Sequence, residues 1–103
     1  MPITESKKDF EQLIFRLERN HQCVLRTKND LNSYRFEPKN YECYKKLQEL
    51  KGGFSKLAEN QLVLFDKIQH QSLQFDVAMK KVEESLGKYH ELEKIMKAYQ
   101  LEL

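Results

Sequence analysis

Five side chains in this sequence are of the kinds that ligate metals or act as nucleophile and base: His21, Cys23, Cys43, His70 and His90. Their spacing is wrong for either task. His21 and Cys23 are two apart and the rest are scattered, so no pair matches a zinc knuckle or an i,i+4 ligand pair on a helix. Cys43 could act as a nucleophile with His70 or His90 as base. That chemistry also needs an oxyanion cradle, and the sequence offers no glycine-rich turn or strand-to-helix elbow to build one. Lys51-Gly52-Gly53 is not a phosphate loop, because the flanking glycine and the preceding strand are missing. No catalytic residue, metal ligand or cofactor is expected, and the chain reads as a non-enzyme.

The more pointed polar residues are Gln61 and Gln71. Each stands on a seven-residue repeat running from Leu47 to Leu103. One row is Leu47, Phe54, Gln61, Ile68, Phe75, Val82, Tyr89, Met96 and Leu103. The row three residues on is Leu50, Leu57, Leu64, Gln71, Ala78, Ser85, Leu92 and Tyr99. This is an a/d seam, the pattern of helices packed on helices. A polar residue on such a seam lowers stability but fixes register or choice of partner. Counted from Leu47 to Tyr99, Gln71 also has seven layers before it and eight after it, which resembles the layer arrangement of SNARE helices. Against that, Gly52-Gly53 would lie inside the zipper, the flanking residues do not match such a motif, and no membrane anchor follows.

The elements that carry the seam follow from periodicity and punctuation. Residues 1–5 are expected to be disordered. A first amphipathic helix is expected over 6–35, opened by Ser6 and carrying Phe10, Leu17, Val24 and Leu31 seven apart, with Asn20 and Thr27 giving it a polar middle. Pro38 forces Glu37 out of the helical region, so residues 36–40 should turn, with Asn40 as a candidate cap. Leu31 and Leu47 are two residues out of heptad phase, which also separates the two seams. Residues 41–103 are expected to form a long heptad-repeat helix. Two interior glycines cost roughly 2 kcal/mol relative to alanine, yet the heptad phase is unbroken across Gly52-Gly53, favouring a bent helix there over a turn. The expected fold is all-α: an antiparallel helical hairpin, with a third helix if the glycine pair breaks the second, extended by coiled coil.

Length predicts where a partner would bind. A first helix of about 30 residues spans ~45 Å and cannot cover a second twice as long. The seam left over is expected in its C-terminal part, around Tyr89, Leu92, Met96, Tyr99 and Leu103, and the long helix is expected to meet a partner through Leu57, Leu64, Ile68, Gln71, Phe75, Val82, Tyr89, Leu92, Met96 and Tyr99. The run Leu62 to Phe65 makes the stripe wider than a dimer seam, and Leu73 and Val77 lie off it as candidate second contacts. Marginal stability without other helical chains, like or unlike, is expected.

Charge excludes less than it suggests. The net charge of +2 gives no general case for nucleic acid or anionic lipid. The excess lies in the first 40 residues, where eight Lys or Arg meet six Asp or Glu. Arg16, Arg19 and Arg26 form a possible face for an acidic partner. The N-terminus lacks a signal-peptide core, no segment is apolar enough to span a membrane, and two cysteines suggest no disulfide framework. A cytoplasmic or nuclear location is expected. The leading function is a coiled-coil adaptor or scaffold subunit of a helical-bundle complex. Binding to nucleic acid or an acidic filament is the alternative, and a SNARE-like fusion role a minor one.

Overall fold

Proline at the first position of a helix costs little, because the amide it lacks has no partner within the helix. In the computed structural model, which describes residues 2–70 and 72–103 with side chains from residue 8 onward, α1 starts at that position and runs Pro2–Asp30. It begins four residues before the expected Ser6. After Leu31 the amides of Asn32 and Ser33 bond three residues back, to Asn29 and Asp30, which tightens the helix to its end. A short 3-10 turn, Tyr34–Phe36, follows. Glu37 is extended, with ψ at 125°, as the proline after it demands. Asn40 caps the second helix: its Oδ1 accepts the Cys43 amide at 2.8 Å.

The second helix, α2, runs Tyr41–Gln69 straight through Gly52-Gly53. The glycine pair is no turn. Gly53 instead has a packing role, since a Cβ there would lie 2.9 Å from Leu92 Cδ2. The break in the long segment comes later, between Gln69 and Phe75. The Ser72 amide and hydroxyl both donate to the Lys67 carbonyl, at 3.0 and 2.9 Å, which closes the C-terminus of α2. The third helix, α3, runs Phe75–Leu101. The expected single helix over 41–103 is therefore two helices. The heptad hid this because Ile68 and Phe75 are seven apart, so the seam keeps its phase across the turn.

Side-chain pairs fix the arrangement. Gln61 of α2 meets His21 of α1 and Ser85 of α3, and Lys46 meets Glu102, so α2 runs antiparallel to both neighbours. Phe10 packs on Phe75 and Phe36 on Tyr99, so α1 and α3 run parallel. The described residues form an all-α, up-down-up bundle without strands. At 29, 29 and 27 residues the helices nearly match. The length argument for an uncovered seam thus fails: α3 folds back and covers what α1 cannot. The rod measures 59 × 18 × 18 Å, and its radius of gyration of 16.4 Å exceeds the ~13 Å of a rounder chain of this length. Each helix therefore keeps a long outer face.

Candidate functional site

The core is divided by a polar layer. On one side pack Leu13, Leu17, Leu64, Ile68, Ala78 and Val82. On the other pack Val24, Leu31, Leu47, Phe54, Leu57 and Tyr89 with their neighbours. Between them lies Gln61, 1% exposed, on the α2 seam. Its amide nitrogen donates to Asn20 Oδ1 at 2.7 Å and to Ser85 Oγ at 3.0 Å. Its carbonyl accepts from His21 Nδ1 at 2.9 Å, a pairing that puts the imidazole hydrogen on Nδ1. One glutamine thus joins all three helices with both amide hydrogens used. The polar middle of α1 is explained by the same device: Asn20 meets Gln61, and the Thr27 hydroxyl lies 3.1 Å from that of Tyr89.

Most of the seam residues expected to face a partner face this chain instead. Leu57, Leu64, Ile68, Val82, Tyr89, Leu92 and Tyr99 are buried, and Phe75 and Met96 are half-buried against the same core. Gln71 lies outside the described residues. Tyr99 stacks on Phe36 and donates its hydroxyl to the Phe36 carbonyl at 2.7 Å, pinning α3 to the α1–α2 connection. Burial pushes the Tyr99 phenol above its ordinary value, and burial raises Tyr89 as well.

The chemistry-bearing side chains stay apart. Cys43 is buried at the start of α2, whereas His70 ends that helix, about 40 Å away by helix rise. His90 is exposed beside Glu93, and His21 is held by Gln61. Among the described residues no three His, Cys, Asp or Glu side chains gather as metal ligands, and no helix is long and apolar enough to cross a membrane.

Two surface features remain. The first is the outer face of α1. Arg16, Arg19 and Arg26 are all exposed, and among the described residues none pairs with a carboxylate. Arg19 lies over the exposed Phe15 ring, 5.7 Å from its centre. The second is the groove between α2 and α3. Its larger section, about 620 Å³, has Gly53, Leu57, Leu64 and Leu92 among its lining, and Val63 stands on its wall. Val63 and Ile95, which line the two sections, are more than half exposed. Lys56, Lys67, Lys81 and Lys88 rim this section with Glu84 as the one carboxylate. A smaller section continues past Leu92 to Ile95 and Tyr99. There Lys46 and Glu102 bridge the two helices at 2.9 Å, and the Glu102 hydrogen bond and charge raise the Lys46 ammonium.

Sequence reasoning placed Val63 within the wide apolar run Leu62 to Phe65, and Leu73 and Val77 off the main seam, but passed over Ile95 and the four lysines. The lysines had a signal: 81 and 88 are one heptad apart, so they share an edge of α3. No protein-family model, curated protein or solved structure matches the chain.

Proposed function

We propose that this chain is a non-enzymatic helical adaptor that binds helical segments of other proteins through its outer faces. The observation that carries this reading is the α2–α3 groove. After the chain has satisfied its own seam, Val63 and Ile95 still stand exposed on the lining of this groove, beside an apolar floor. Apolar residues at helical spacing along an interhelical groove are what a further helix covers. The seam residues contribute indirectly, by holding the two groove helices in register. The test is photocrosslinking in the cell of origin, with a photoreactive residue placed in turn at Val63, Ile95 and Phe15 of the full chain. The reading expects a discrete protein adduct at one face or more, and it fails if every position yields none.

A second reading draws on α1. Three arginines on one exposed face with no carboxylate partner among the described residues, beside an exposed aromatic ring, suit an acidic filament or nucleic acid. Binding that falls steeply with salt and is lost on reversing Arg16, Arg19 and Arg26 to Glu would support it. Salt-independent binding would sink it. The fusion-type reading has no comparable support, because the described seam layers pack within one chain.

A further inference from the structure

The α2–α3 groove has a chemistry as well as a shape. Its larger section runs from Gly53 to Lys67 along α2. That is 14 steps, or about 21 Å at ~1.5 Å per residue, the length of a helix of roughly four turns. The Lys46–Glu102 bridge joins α2 and α3 in the lining of the smaller section, at that end of the groove. The larger section has an apolar floor and a rim of four lysines against one glutamate. Of these four lysines only Lys88 has a carboxylate within 4.0 Å among the described residues, that of Glu91.

We propose that this groove receives an acidic amphipathic helix of another protein, about four turns long, which completes a four-helix bundle. The proposal rests on the adaptor reading and adds the partner's chemistry. The floor calls for an apolar stripe on the occupant, which lies against Leu57, Leu64 and Leu92 and covers Val63. The rim calls for glutamate or aspartate on both flanks of that stripe, one flank facing the α2 lysines and the other the α3 lysines. Rim charges of this kind select a partner and its orientation more than they add affinity. A second copy of this chain is a poor occupant, because groove-to-groove pairing would set the same lysines against one another. A polyanion such as duplex nucleic acid would satisfy the lysines but leave the apolar floor uncovered.

The experiment uses the full chain and two designed helical peptides of about 16 residues. Both carry the same leucine stripe. One has glutamates on its flanks, and the other has lysines. Fluorescence anisotropy should show the glutamate peptide binding and the lysine peptide failing. Reversing Lys56, Lys67, Lys81 and Lys88 to Glu should weaken the glutamate peptide by about tenfold, since each exposed pair contributes a few-fold at most, and should admit the lysine peptide. Circular dichroism confirms that the variant folds, and Val63→Gln, which adds no charge, supplies an independent loss through the apolar wall. Equal binding of both peptides overturns the proposal. So does loss of binding on reversing Arg16, Arg19 and Arg26 instead of the lysines. Tighter binding of duplex DNA than of the glutamate peptide, dependent on the same lysines, also overturns it, as does self-association abolished by the lysine reversals. Crosslinks at Phe15 with none at Val63 or Ile95 would sink the groove while leaving the adaptor reading intact. Their absence everywhere would sink both.

Discussion

Gln61 is the residue on which the three helices agree. A buried amide is costly unless its donors and acceptor are all used, and here they are, by Asn20, His21 and Ser85. Gln61→Ala removes the amide and leaves a cavity, so urea unfolding should show a loss of about 2–4 kcal/mol. Gln61→Leu fills the space and should stay within about 1.5 kcal/mol of the parent, while relaxing the register that the amide enforces. A leucine variant as unstable as the alanine variant would mean that the polar layer holds the fold together and does not merely select it. Tyr99 gives a second test. Its folded-state pKa is raised by burial, so the native state holds its proton more firmly than the unfolded chain does. Its stabilising contribution is therefore intact below the unfolded value of about 10 and is lost as pH rises through the raised folded value. Melting temperature should be level through neutral pH and fall in strong alkali. Tyr99→Phe should lessen that fall and cost about 1–2 kcal/mol at neutral pH, because the Phe36 carbonyl loses its donor. Some alkaline loss should remain in the variant, since Lys46 and Tyr89 are raised too.

At the level of elements, the glycines separate what packing asks for from what the helix asks for. Gly52 and Gly87 have open space where a Cβ would stand, whereas at Gly53 that atom would meet the end of the Leu92 side chain. Alanine gains up to about 1 kcal/mol of helix propensity at each position. Thermal melts should therefore show Gly52→Ala and Gly87→Ala stabilising by that order. Gly53→Ala should gain less, since Leu92 must shift. Equal gains at 52 and 53 would show that the close approach of α3 needs no glycine. The same segment shows how much was legible beforehand. Helical character, the turn at Pro38 and the Asn40 cap follow from local chemistry, and the heptad correctly carries α2 across the glycine pair. The break between Gln69 and Phe75 carries no glycine or proline. It interrupts the helix but not the seven-residue spacing from Ile68 to Phe75, so periodicity alone reads through it. The groove was hidden for a different reason. Which flank of a helix stays open depends on where the neighbouring helices lie, and that depended on the missed turn.

The whole molecule is a rod whose seam closes on itself. A single long helix would have left half its apolar stripe exposed and required a partner for stability. Folding that segment into α2 and α3 lets each helix bury its stripe against the other two. Unfolding should then be unimolecular, with a melting temperature constant over roughly a hundredfold range of concentration. A midpoint that climbs with concentration would restore the obligate-partner expectation. The stronger version of the test removes α3. A fragment ending at Ser72 keeps α1 and α2 but strips Phe54, Leu57 and Leu47 of the cover that Tyr89, Leu92 and Tyr99 give. Two helices alone cannot enclose a core of this width, so the fragment should lose most of its helical signal or associate. Adding the separate α3 segment, residues 73–103, should restore a folded 1:1 complex. A fragment that melts cooperatively as a monomer without α3 would show that the α1–α2 hairpin is the stable unit. It would also turn the Leu57 and Leu64 seam back into an open interface, with α3 as its first and replaceable occupant.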